Sequence, residues 1–351
     1  MSANPVEATQ AKSTGLGNGV KRKKGPRSSL WARFDHSVVP YILISPFFLL
    51  FVGFGIFPIA YSALISLQSY RNEYPVYRDG TSVNQFTERW VGIENYTKVF
   101  TQWDFWQALI NTFGIFILSA VPQLIFALIL ASLLNRRLRA QSFFRVGILV
   151  PYITPIVASS IVFSTIFARD GGQANWLLGL FGVHSVTGAG GEVGFSGIDW
   201  RNERWTAWLA IIIMINWKWT GYNALLYLAA MQSIPKDVYE AAALDGAGAW
   251  KQLWAITVPM IRPMVVFTVV LATIGSLQLF AEPVQFDVNP ASGDGGGTRH
   301  LWRTVAQLIW KTGWKDTNFG YSGAMSWVLF VVVVLVAAFN GWISNKIGGR
   351  K

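Results

Sequence analysis

The sequence contains no cysteine, which excludes a disulfide framework, a thiolate zinc site and a thiol nucleophile. Histidine is nearly absent: His36, His184 and His300 lie far apart and form no cluster for a metal site or a proton relay. Charged residues are scarce too, at 13% of the chain, where a soluble domain carries about 25%. That scarcity excludes a fully water-covered surface. No GxxxxGK[ST] occurs anywhere, so the chain lacks that device for cradling nucleotide phosphates.

What the sequence has instead is apolar bulk. Hydrophobic residues make up 52% of it, and there are 17 tryptophans, whose indole rings favour the boundary between lipid and water. A helix that crosses a bilayer needs about 20 mostly apolar residues. Six segments meet this: roughly Tyr41–Ile65, Ala108–Leu134, Val146–Ala168, Trp205–Gln232, Pro263–Ala281 and Tyr321–Ser344. Only the fourth holds a charged side chain, Lys218, which needs a partner, with Glu282 the nearest candidate in kind. The first segment exceeds the apolar region of a secretory signal and has no small-residue cleavage site, so it reads as a retained span.

The formal charge is +11, and its placement decides what it means. With six spans, 17 basic residues fall on the side of the two termini and 11 on the other, although the connections on that other side are longer. The positive-inside rule places both termini in the cytoplasm. The charge therefore sets orientation, and a nucleic-acid partner is not expected. Residues 1–37 form a polar, basic tail of disordered composition, and residues 38–347 carry the spans. GVHSVTGAGGEVGFSGIDW and VNPASGDGGGT, both external, read as glycine-rich loops.

In this topology EAAALDGAGAWKQLWAITVP, Glu240 to Pro259, faces the cytoplasm within the loop 234–259. Ser233 reads as the start of a short helix with Pro235 in its first turn. Ala241, Ala242 and Ala243 are strong helix formers of small bulk. Gly246 permits a turn that a side chain would restrict. A second helix with Trp250, Leu253 and Trp254 is expected to run until Pro259 and Pro263 break it. Such a unit suits close approach by another protein, and equally an amphipathic connector at the membrane surface.

The spacing of Glu240, Ala241, Ala242, Gly246, Ile256, Val258 and Pro259 resembles the EAA motif of ABC importer permeases. The stretches VGIENYTKVF, ALINTFGIF, LLNRRLRAQSFFR, LAAMQSIPKDVYEAAALDGAGAWKQ and NFGYSGAMS also resemble sugar-importer permeases related to the maltose permease MalF. The resemblance implies an all-α polytopic membrane protein with six transmembrane helices, the type I ABC importer permease fold and a cytoplasmic coupling helix. It implies that Glu240, Ala241, Ala242, Asp245, Gly246, Ile256 and Pro259 meet a cytoplasmic ATPase subunit. It further implies a second permease subunit, two ATPase subunits carrying the ATP and magnesium, and an extracytoplasmic sugar-binding protein. This chain would need no cofactor of its own.

The fourth segment, INWKWTGYNALLYL, sets Asn216, Trp219, Thr220 and Asn223 at helical spacing, with Tyr222 at the edge. Lipid penalises such a face, so it should look inward. Amides and aromatic rings suit a sugar; the same residue types also suit hydrogen bonds between helices. Gly275, Ser276 and Gln278 on the fifth segment, and Ser160 on the third, are further candidates for lining the path, with Glu282 beyond them. The resulting expectation is a multi-pass cell-membrane protein that moves an oligosaccharide and is not itself an enzyme. The alternative, an ion-coupled secondary carrier of a polar solute, calls for coupling carboxylates or an inverted repeat.

Overall fold

A computed structural model describes residues 39–72, 76–78, 81–83, 86–136, 139–182, 197–287, 296–297 and 299–348. The basic tail and most of the two glycine-rich loops lie outside the described residues. Contacts divide the chain into two units, Met1–Ile59 and Ala60–Lys351, the boundary falling inside the first helix.

The chain is mainly helical. Helix α1 covers Val39–Ser66. Four short strands follow: β1 Gln68–Asn72, β2 Val76–Arg78, β3 Thr81–Val83 and β4 Phe86–Trp90. They form two nested antiparallel pairs, with Gln68 opposite Trp90 and Val76 opposite Val83. These strands are the departure from an all-α chain. After α2, Glu94–Thr101, comes the longest helix, α3, Trp103–Leu134. Pro122 lies inside α3 without interrupting it.

The expected third span is not one rod. It is α4, Gln141–Ile153, and α5, Ile156–Ile166, which meet at 90°. Pro155 cannot donate a backbone hydrogen bond, and it drives Thr154 into an extended conformation, ψ 131°. Then come α6, Gln173–Leu180, and α7, Arg204–Met231. Two short helices follow, α8, Lys236–Leu244, and α9, Ala249–Met260, the latter meeting α10, Arg262–Leu277, at 77°. The chain closes with α11, Ala281–Phe286, α12, Val305–Trp310, and α13, Phe319–Gly348.

Among the described residues, three helices are long and apolar enough to cross a membrane, or up to five if each bent pair is one span. Helix α7, the expected fourth span, is absent from that set although it has 28 residues. Asn216, Lys218, Thr220 and Asn223 lower its hydropathy. Yet α7 is the centre of the larger unit, forming the most extensive helix pair with α3 and contacting α4, α5 and α10. Gly221 is why α4 can lie so close: a Cβ there would overlap the Ile148 carbonyl oxygen. Small residues at such crossings let backbones approach.

Three buried clusters line the unit. One surrounds Trp208 and Trp302, one joins α3 and α7 to α8 and α9 through Leu128, Tyr227 and Leu253, and one holds Phe105 and Met325.

Two prolines reshape helices without ending them. A widened π turn covers Val52–Ile56 and another Leu253–Thr257; each is followed after one residue by a proline, Pro58 and Pro259. The proline ring crowds the carbonyl four residues back, and a turn with bonds five residues apart makes room. Accordingly the amides of Phe57 and Val258 bond to the carbonyls of Val52 and Leu253. Pro259 thus does not break its helix as expected. The helix continues to Met260 and turns at Ile261.

Candidate functional site: a two-helix hairpin and a polar helix face

Helix α8 begins at Lys236 with Pro235 as its cap residue. Ser233 is not the cap; its hydroxyl donates to the Ala230 carbonyl at 2.8 Å, closing α7 instead. At the far end the Ala247 amide bonds to Ala242 O at 2.9 Å and the Gly246 amide to Ala243 O at 3.0 Å. That pair of bonds is a Schellman motif, which needs a left-handed residue after the helix. Gly246 supplies it, with φ +76°. The chain reverses there and enters α9.

The hairpin has two faces. Val238, Tyr239 and Leu253 pack against the ends of α3 and α7. The Tyr239 hydroxyl bonds to Thr257 Oγ1 at 3.0 Å, tying α8 to α9, and Gln252 donates to the Ala247 carbonyl at 2.8 Å. The other face is open. Glu240, Ala241, Asp245, Gly246 and Pro259 are exposed, while Ala242 and Ile256 are half-buried. Leu244 is 90% exposed and Trp250 64%. The sequence singled out the alanines and the glycine; Leu244 and the Tyr239–Thr257 brace were missed, because neither exposure nor a partner 18 residues away leaves a periodic trace.

The eight residues expected along the sugar path do not share one site. Asn216 and Thr220 line an apolar groove of about 850 Å³ with Phe126, Pro151, Trp208 and Ile212. Asn216 donates to Ile212 O at 2.8 Å, and its buried Oδ1 has no hydrogen-bond partner among the described residues. Asn223 is buried and donates to Trp219 O at 3.3 Å. Trp219 and Tyr222 face elsewhere, toward Tyr152 at the break between α4 and α5. Tyr222 stacks on the Tyr152 ring at 4.6 Å and Trp219 meets it edge-on at 5.4 Å. Tyr152 itself remains 37% exposed.

Gly275 is exposed, with nothing near the place a Cβ would take. Ser276 is half-buried. Gln278 lines a separate cavity of about 420 Å³ with Phe280, Trp310 and Phe319. Ser160 is fully buried on α5, and its hydroxyl has no partner among the described residues.

Lys218 finds its partners at the break. Its ammonium donates to Thr154 O at 2.7 Å and approaches Tyr152 O at 3.5 Å. The bend frees these carbonyls, and a cation at a helix C-terminus is favoured in any case. Glu282, itself buried, attracts Lys218 electrostatically and accepts a hydrogen bond from the Trp219 side chain. Lys218 therefore joins α4, α7 and α11. Among the described residues no group of three or more potential metal ligands occurs.

Known proteins resemble the chain along most of its length. The lactose transport system permease protein LacF of Rhizobium radiobacter is 33% identical over 91% of this chain and 98% of its own. The arabinooligosaccharides transport system permease protein AraP of Halalkalibacterium halodurans is 27% identical over 88% and 89%. Among solved structures, the bacterial alginate ABC transporter in complex with alginate pentasaccharide-bound periplasmic protein contains a chain that superposes with a TM-score of 0.72. That chain is 19% identical, with 91% of this chain and 98% of that one covered, a likeness of fold. The family model for the binding-protein-dependent transport system inner membrane component matches residues 105–348. The chain belongs to that family.

Proposed function

We propose that this chain is one of two permease subunits of an ATP-driven ABC importer that brings an oligosaccharide into the cytoplasm. Six helices cross the membrane in this reading: α1, α3, the bent α4–α5, α7, α10 and α13, within residues 38–347. Both termini and the α8–α9 hairpin lie in the cytoplasm. Two ATPase subunits, which hold ATP and magnesium, meet the hairpins of the two permeases, and an external binding protein delivers the sugar.

The observation that carries this reading is the hairpin's division of labour. Its inner face is locked to the ends of α3 and α7, and its outer face presents Glu240, Ala241, Asp245, Gly246 and the bare Leu244. A push on the outer face is passed to the two most extensively packed helices of the unit. Relatives named for lactose and arabinooligosaccharide transport support a sugar as cargo.

For the sugar itself, the Trp219–Tyr222 side of α7 is the better surface. Aromatic rings and the nearby Glu282 carboxylate offer stacking and hydrogen bonding, whereas the Asn216–Thr220 groove is walled almost wholly by apolar side chains. Gly275, Ser276 and Gln278 would extend the path along α10.

The test is made in the assembled transporter in proteoliposomes. Gly246→Val and Glu240→Lys should leave assembly intact while abolishing sugar uptake and the stimulation of ATP hydrolysis by loaded binding protein. Normal stimulation in both variants would remove the hairpin from the coupling route.

A further inference from the structure

Behind the hairpin lies a cavity of about 370 Å³ that coupling does not explain. Its walls come from three places: Ser132, Asn135 and Arg136 at the end of α3, Gln232 just after α7, and Lys236, Tyr239 and Gln252 from the hairpin. Among the described residues two cations line it and no acid does. Neither Arg136 nor Lys236 has an ion-pair partner among the described residues. The hairpin's own acids, Asp237, Glu240 and Asp245, are not part of the lining.

We propose that this cavity binds the phosphate of an anionic lipid headgroup, held between Arg136 and Lys236, and that the bound lipid clamps the hairpin to the end of α3. Arginine suits phosphate through its planar fork, and lysine supplies a point charge. Gln232 and Asn135 add amide donors for the ester and glycerol oxygens. Basic pockets between membrane helices at the cytoplasmic face are where anionic headgroups bind. An acidic segment of an ATPase subunit is the less suitable occupant. Tyr239 and Leu253, which line the cavity, pack inward against the ends of α3 and α7, whereas Glu240 and Leu244, exposed along the same stripe of α8 as Lys236, lie outside the lining. The proposal rests on the orientation given under Proposed function.

The complete transporter, purified with its partner subunits, would be placed in lipid discs of phosphatidylcholine with and without phosphatidylglycerol. Retained lipid is then read by native mass spectrometry, independently of transport. The wild type should retain phosphatidylglycerol. Arg136→Gln and Lys236→Gln should each weaken retention about fivefold, given the attraction of one cation near an anionic surface, while Arg136→Lys keeps most of it. Equal retention by the double variant R136Q/K236Q would overturn the site.

Inorganic phosphate added to phosphatidylcholine discs forms the second arm. No change in activity supports a lipid headgroup, and full replacement of phosphatidylglycerol by phosphate overturns it in favour of a free anion. Retention of phosphatidylglycerol by the permease pair alone but not by the complete transporter would overturn it in favour of a protein occupant. Should the hairpin prove not to couple, lipid retention would be unaffected, so the two failures can be told apart.

Discussion

At the scale of single residues, Lys218 shows how a charge is kept inside an apolar fold. It is 6% exposed and spends its donors on carbonyls that the turn at Thr154 leaves without helical partners. Lys218→Met removes that cap and isolates Glu282. Leaving buried acceptors unpaired costs about 1–3 kcal/mol, so the purified complex should melt at lower temperature. The double variant Lys218→Met with Glu282→Gln should lose less than the two single losses added together, because no carboxylate is then left without its cation. Strict additivity in thermal melts would show that the two residues act independently. Trp219→Ala probes the aromatic surface instead. If Trp219 stacks on the sugar, uptake should fall about tenfold or more with basal ATP hydrolysis retained, and the ranking among sugars should change. A uniform loss over all sugars together with poor assembly would make Trp219 a packing residue.

At the scale of elements, close approach and turn geometry dominate. Gly221→Leu would push side-chain carbon into the Ile148 backbone, which cannot move without α4. Overpacking of this kind costs about 1–3 kcal/mol, and here it should also shift the α4–α5 bend that presents Tyr152. Limited proteolysis and thermal melting of the complex would register it; unchanged behaviour in both would mean α4 is free to slide. Gly246 is a different case. Nothing lies within 4 Å of a Cβ placed there, so its restriction is the positive φ alone. A β-branched residue would unwind the Schellman turn at a cost of about 1–2 kcal/mol, a local loss that disturbs the outer face of the hairpin and little else. That is why coupling should fail before assembly does. Cutting the brace with Tyr239→Phe removes one hydrogen bond, worth about 1 kcal/mol, and should lower the efficiency of coupling without abolishing it.

At the scale of the whole molecule, orientation is the first thing to establish. The absence of native cysteine means each introduced thiol reports one place. Thiols at Ser142 and Gly246 should be labelled only from the cytoplasm, and a thiol at Ser82 only from outside. A further external probe, Ser292, lies outside the described residues. Labelling of Gly246 from outside would reverse the topology and remove the hairpin from the reach of any cytoplasmic motor.

The sequence by itself determined the membrane class and the place of the two short helices α8 and α9, because hydropathy and turn chemistry are local and nearly additive along the chain. It left the 90° turn near Pro155 undetermined, since the angle depends on what packs beneath it and which side chain caps the exposed carbonyls. That side chain, Lys218, is 64 residues from Thr154 in sequence. Helical spacing, at about 100° per residue, put Asn216, Trp219, Thr220 and Asn223 on one face with Tyr222 at its edge, whereas in the structure Trp219 turns with Tyr222 toward Tyr152. What it could not supply was the neighbours. Only the tertiary structure placed apolar walls before Asn216 and Thr220, aromatic rings before Trp219 and Tyr222, and two cations around one cavity, because each of these depends on segments brought together from distant parts of the chain.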